Sequence, residues 1–339
     1  MEKVLTLLWQ AMSVETTTGY GRLGLEMAWA LDAYADDTGR VKTVGRYADS
    51  WDWRIFCGTP SSWLLGPRGG KNVDTGLFTM FEASQLPEEW VKILNKLAFV
   101  VVPSVWVKGV FLQSGVHVPI LQVPLGIDTE RVKYIERVKE DDQFIFLAQA
   151  RKLFDRKGLT LAMKAYTHVA AHMPNSELWL KVNEVERWKT ITWRGPGKIR
   201  LINATYSEDE MRELASEVDC FVYPSHAEGW GLMPLEWMAY GRPVILPRYS
   251  AMTEIGTDET CYFVSAGETS ADLYNRIFGI NASWGMVDVK ELAAKMLYVY
   301  QNREEAKQVG LAASRHAATF TWRKSAERMV EVLNELTPG

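Results

Sequence analysis

Cysteine is scarce in this chain: only Cys57, Cys220 and Cys261 occur, odd in number, far apart and in no C-x-x-C spacing. That argues against a disulfide framework or a structural zinc site, and for a reducing compartment. Histidine is nearly as rare. None precedes His117, and His117, His168, His172 and His316 show no metal-ligand spacing, so they read as structural or solvated. No stretch approaches the roughly 18 consecutive apolar residues of a membrane span. The opening MEKVLTLLWQAM has a short apolar run without the small-residue cleavage pattern of a secreted leader, so a cytoplasmic protein is expected. An excess of one charge is also missing. The net charge of −4 leaves no whole-chain footprint for nucleic acid or anionic membrane, a local basic groove aside. No Lys/Arg-rich amphipathic face carries exposed aromatics, which speaks against membrane docking. Internal repeats and low-complexity segments are absent.

What is present fits a cored α/β protein. Length 339 allows about two domains, and 47% hydrophobic with 24% charged residues is ordinary for a globular chain. Fourteen Trp offer core volume and flat surfaces for sugars or bases. Short apolar runs alternate with longer amphipathic stretches, as in parallel sheets covered by helices. Strands are expected at 4–9, 99–103 and 120–124, with a Gly-bearing turn at 19–24 and a helix over 25–34. The charged run RVKYIERVKEDDQ (131–143) reads as an interdomain linker. After it the alternation resumes, with strands at 144–149, 178–182, 199–203, 220–223 and 243–247 and helices over 159–173, 232–240, 289–302 and 322–336. Ser207-x-x-Glu210 is a capping box opening a helix through residue 218. The expected division is 1–135, 136–321 and a final helix at 322–339.

In open α/β sheets ligands sit at the carboxyl ends of strands, near helix N-termini. The stretch after strand 220–223 has that form: Pro224, Ser225, His226, Ala227, Glu228, Gly229, Trp230, Gly231, Leu232. Glycines bracketing a Trp and opening onto a helix let backbone N–H groups face an anion, or simply permit a tight turn. Glu236 follows Glu228 by eight residues, about two helical turns, so both could line one cleft.

The run SHAEGWGLMPLEWMAYGRPVI resembles the E-x7-E signature of the retaining, GT-B-fold glycosyltransferases of family four, the group 1 glycosyl transferases. Other segments resemble the same family in the expected order: Gly19-Tyr20-Gly21, PSVW after strand 99–103, VPLGID at 123–128, Arg151 with Lys157-Gly158, and TWRKSAERM near the end. Residues 51–74 are the least recognisable. The resemblance implies an α/β protein of two Rossmann-like parallel-sheet domains facing across a cleft: an acceptor-side domain, a nucleotide-sugar domain, and a C-terminal helix returning to the first. It implies that Glu236 accepts hydrogen bonds from the nucleotide ribose and that Glu228 lies against the donor sugar. Arg151 and Lys157 would neutralise the diphosphate, unless they are a solvated surface pair beside Lys152 and Arg156. Backbone N–H groups of Gly229, Trp230, Gly231 and Leu232 would hold sugar or phosphate, and Gly19 and Gly21 would admit the diphosphate from the first domain.

One departure stands out. Many relatives carry a His near the donor sugar in the first domain, where this chain reads FTMFEAS (78–84). Glu82 could contact a sugar or acceptor hydroxyl, or be a surface carboxylate opening the helix that includes Trp90. His226 could touch the sugar or pack the loop. The expected activity is retaining hexosyl or pentosyl transfer from a UDP- or GDP-sugar to a saccharide or small-molecule hydroxyl, with no bound cofactor and no metal. Alternatives are a hydroxymethylated DNA base as acceptor, suggested by the basic, Trp-bearing RWKTITWRGPGKIR (187–200), and a non-catalytic nucleotide-sugar or glycan-binding protein on the same fold. An epimerase or phosphorylase lacks its expected groups here. A Rossmann oxidoreductase would rest on the glycines of 19–24 alone, and a lone G-x-G-x-x-G is a weak signal beside the longer resemblance.

Overall fold

The computed structural model of the protein describes residues 4–13, 18–45, 48–61, 74–138, 142–152, 156–184 and 195–336. Most of the basic segment 187–200, part of 51–74 and residues 139–141 of the charged run lie outside them. The chain divides into two compact units, Met1–Ile127 with Ser270–Ser283 and Phe320–Gly339, and Asp128–Thr269 with Trp284–Thr319.

The first unit begins with β1 (Leu5–Ala11), α1 (Gly19–Thr38), β2 (Val41–Thr43), β3 (Trp53–Cys57) and β4 (Thr75–Phe78). It continues with α2 (Glu88–Leu94), β5 (Phe99–Val102), α3 (Val105–Gln113) and β6 (Ile120–Gln122). The six strands form one parallel sheet in the order β2-β1-β3-β4-β5-β6. β4 and β5 are buried along their whole length, as strands covered on both faces must be. The expected turn at 19–24 is instead the first turn of α1. Thr18 caps that helix, its Oγ1 accepting from Gly21 N at 3.0 Å.

The second unit runs through β7 (Phe144–Lys152), α4 (Leu159–Val169), β8 (Ser176–Glu184), β9 (Lys198–Asn203), α5 (Glu208–Glu217) and β10 (Cys220–Val222). α6 (Leu232–Ala239), β11 (Val244–Pro247), α7 (Met252–Ile255) and β12 (Tyr262–Val264) follow. Its sheet is also parallel, in the order β12-β11-β10-β7-β8-β9. The capping box is present: Ser207 Oγ accepts from Glu210 N while Glu210 accepts from Ser207 N. One face of the sheet packs Phe146, Leu180, Val222 and Ile245 into the main core. On the other, Trp237 of α6 stacks on Phe221 at 5.0 Å. The described part of the charged run is held on this unit: Ile135 N donates to Tyr240 O, Val138 N to Ser216 O, and Arg137 pairs with Asp219.

The remaining elements are β13 (Ala266–Ser270), α8 (Asp272–Phe278), β14 (Ser283–Val287), α9 (Val289–Gln301), α10 (Arg303–Ala317) and α11 (Trp322–Leu336). Segment Ser270–Ser283, placed by the sequence reading in the second domain, belongs to the first unit. There Phe81, Trp90, Tyr274 and Phe278 form an aromatic cluster with ring centroids 5.1 to 5.6 Å apart. In the same unit α11 packs on α1 and buries Trp322, Met329, Val330 and Leu333.

Candidate active site

In the second unit the chain leaves β7 toward β8 and leaves β10 toward β11, so strand order reverses between two adjacent parallel strands. Such a switch point opens a crevice at the carboxyl ends. Two turns meet there. Residues 156–158 follow β7, and Gly158 takes φ +74° with a hypothetical Cβ only 2.1 Å from Pro224 O. Any side chain would collide with backbone, so glycine is what lets this turn seat against the loop after β10. His226 N donates to Arg156 O at 2.9 Å and completes the junction.

Glu228 stands at the centre, buried, and four donors converge on its Oε1. They are Lys157 Nζ at 2.6 Å, Ser225 Oγ at 2.6 Å, Tyr223 Oη at 3.0 Å and Arg156 Nη1 at 3.0 Å. Burial alone would push this carboxyl up. The Arg156 and Lys157 charges, with hydrogen bonds from Lys157 and Ser225, outweigh it and hold the group at about 2, so it is ionised. Two cations around one carboxylate leave a local positive excess that suits an anionic ligand. Glu228 N donates to Ser250 Oγ at 3.0 Å. Ser250 has φ 54°, the one non-glycine left-handed residue among the described residues, a local strain held next to the carboxylate.

The loop then enters α6. Gly229 and Trp230 are buried, and Gly231, the N-cap, has φ +116°. A Cβ there would lie 2.5 Å from Met252 Cε. Leu232 starts the helix and Glu236, half-buried, stands one turn in. Its neighbour Trp237 donates through Nε1 to Gln149 Oε1 at 3.3 Å, fixing that part of the helix on the β7 face.

The structure thus brings Glu228 and Lys157 together, with the α6 entry beside them. Arg151 ends up exposed near the end of β7, on the same strand face as Gln149 by the two-residue period. His226 Nδ1 lies 2.7 Å from Gly285 O and must donate to it, while its ring lies parallel to Trp284. Gly19, Gly21 and Glu82 lie in the first unit. Glu82, half-buried, accepts from Tyr274 Oη at 3.0 Å. It does not open the Trp90 helix, since α2 starts after Pro87. Sequence reasoning missed Arg156, treated only as a solvated neighbour of Lys157. It also missed Tyr223, Ser225 and Ser250; Ser225, three residues before Glu228, was the nearest thing to a signal. Among the described residues no group of three or more His, Cys, Asp or Glu could hold a metal ion, and no helix is long and apolar enough to cross a membrane.

Residues 141–280 match the family model described as Glycosyl transferases group 1. A curated relative, sulfoquinovosyl transferase SQD2 of Arabidopsis thaliana, is 26% identical over 133 residues, 39% of this chain and 23% of that protein. The match therefore spans about a quarter of the relative's length. Among solved structures, HepE of Anabaena, in complex with UDP and glucose, superposes with TM-score 0.68 at 12% identity, over 98% of this chain and 100% of that one. A glycosyltransferase from Rickettsia africae gives 0.69 at 14% identity, over 98% and 99%. Sucrose-phosphate synthase of Thermosynechococcus elongatus gives 0.62 at 17%, over 93% and 77%. The fold is GT-B, and residues 141–280 are similar to the group 1 glycosyl transferases.

Proposed function

We propose that this chain transfers a hexose or pentose from a UDP- or GDP-sugar to an acceptor hydroxyl, with retention of anomeric configuration. The observation that carries the reading is the buried, ionised Glu228 with Lys157 and Arg156 on it, at the switch point where α6 begins. A diphosphate bound there shares those cations, and Arg151, on the exposed end of β7, adds a further charge. Glu228 then accepts from sugar hydroxyls and Glu236 from the ribose, while N–H groups of Gly229 to Leu232 hold the phosphate or sugar. The bond from the sugar's anomeric carbon to the phosphate oxygen breaks and a bond to the acceptor oxygen forms. The acceptor's proton passes to the departing phosphate on the same face. The protein's part is positioning and stabilisation of charge on the leaving group. HepE's complexes with UDP and glucose support the donor class, and a saccharide or small molecule is the acceptor of this reading. His226, bonded to Gly285, shapes the loop, and Glu82 of the first unit serves acceptor hydroxyls.

The test is release of nucleoside diphosphate from UDP-glucose and GDP-mannose, with product masses recorded on candidate acceptors. Turnover by the unmodified protein should fall about 10²–10³-fold in Lys157→Ala, the usual cost of losing a fixed charge-stabilising donor. Nucleotide binding without turnover would leave a non-catalytic binder. Absence of both would reject the reading.

A further inference from the structure

Lys181 is buried at 2% exposure in the middle of β8. A desolvated ammonium is costly unless its donors are used. Here they are: Nζ donates to Asn183 Oδ1 at 3.2 Å and to Ala204 O at 3.1 Å, and lies 4.8 Å from the Tyr206 ring. Burial pushes the Lys181 amine down, with Glu210 of α5 the opposing charge.

An ammonium has only donors, so the Asn183 atom facing it has to be the carbonyl oxygen. That fixes the amide's orientation. Its NH2 group is then turned away from Lys181 at the carboxyl edge of β8. Lys181 pairs in register with Gln149, so Lys181 and Asn183 share the sheet face on which Trp237 of α6 bonds Gln149. β8 lies two strands from β10, about 10 Å at ordinary strand spacing. In the nucleotide-sugar reading above, with the diphosphate at Lys157 and the ribose at Glu236, the base would be directed toward this edge.

We infer that Asn183, oriented by Lys181, selects the donor's base, donating to a ring carbonyl and so favouring uracil or guanine over cytosine or adenine, with Tyr206 as the adjoining aromatic wall. This rests on the nucleotide-sugar reading above. Uracil and guanine present an oxygen where cytosine and adenine present an amino group, and a fixed amide donor meets the second pair donor to donor. Asn183 is the specificity residue and Lys181 a positioning residue.

Calorimetry of the full chain with UDP, CDP, GDP and ADP tests it. The unmodified protein should bind UDP over CDP and GDP over ADP by about tenfold or more, the scale of one buried hydrogen bond made or left unmade. Asn183→Asp keeps one oxygen for Lys181 and turns an acceptor toward the base, so both ratios should fall about tenfold or invert. Lys181→Met frees the amide to rotate, and should narrow both ratios while leaving phosphate-dependent binding in place. A purely structural role for Lys181 would lower the melting temperature and leave the ratios unchanged. Should Asn183→Asp fold poorly, Asn183→Ala should likewise narrow both ratios. Unchanged ratios in the variants would overturn the inference and spare the nucleotide reading, whereas failure of the unmodified protein to bind any of the four would overturn both.

Discussion

Glu228 converts a short sequence pattern into a charged, desolvated centre, and its acid behaviour follows from its surroundings. Its folded value of about 2 lies below that of an ordinary glutamate. The stability it contributes is therefore full above about pH 4.5 and is lost as pH falls toward 2, roughly 3 kcal/mol over that window. Glu228→Gln should lack this dependence, so the gap in unfolding free energy between the two proteins should close on acidification, as denaturant titrations at stepped pH would record. At neutral pH the same variant leaves Lys157 and Arg156 partly buried without their carboxylate, a loss of about 3–5 kcal/mol. Because Arg156 and Lys157 meet on one oxygen, their effects should not add. The double alanine variant should depart from the sum of the single variants by about 0.5–3 kcal/mol in stability, and strict additivity would mean that the two act separately. Residue chemistry was partly readable beforehand. Glu228 and Lys157 stood out by pattern, whereas Arg156 looked like one more surface charge, because adjacency along the chain says nothing of where a side chain turns.

Turn geometry is what delivers these side chains, and it belongs to the elements. The loop after β10 and the turn after β7 interlock only because Gly158 leaves room for Pro224 O. Gly158→Ala adds left-handed strain of about 1–2 kcal/mol and a backbone clash besides. It should also shift Lys157, so turnover should fall by more than the loss of folded protein explains. A variant that stays folded with normal turnover would show the junction to be dispensable. The elements best read from sequence were those with continuous apolar runs, such as β5 and β10, where burial on both faces of a parallel sheet removes the need for alternation. β2 has only three residues, and β3 starts with Trp53 and Arg54, so neither offered a run to find. The Gly19 segment read as a turn because three glycines, Gly19, Gly21 and Gly24, outweighed the Thr18 cap.

At the scale of the whole molecule the chain passes from one unit to the other more than once, and no local pattern announces it. Segment Ser270–Ser283 joins the first unit through Tyr274 and Phe278, residues that pair with Phe81 and Trp90 nearly two hundred positions earlier. Such distant pairing is invisible to periodicity. α11 is a second return, and its removal separates the two units' contributions. It buries Trp322, Ala326, Met329, Val330, Val332 and Leu333 within the first unit, chiefly against α1. Full burial of a large apolar side chain contributes about 1.5–3 kcal/mol, and several together rival the roughly 5–15 kcal/mol that holds a typical domain folded. A chain ending before Trp322 should therefore lose much of the first unit's order. Amide hydrogen exchange read by peptide should show it: α1 and its sheet exchange faster, while β7, β10 and α6 keep their protection. UDP, if held by the second unit as proposed, should slow exchange around residues 156–158 and 226–236 in both the full and the shortened chain. Loss of that ligand-dependent protection on truncation would mean that the nucleotide needs the first unit as well.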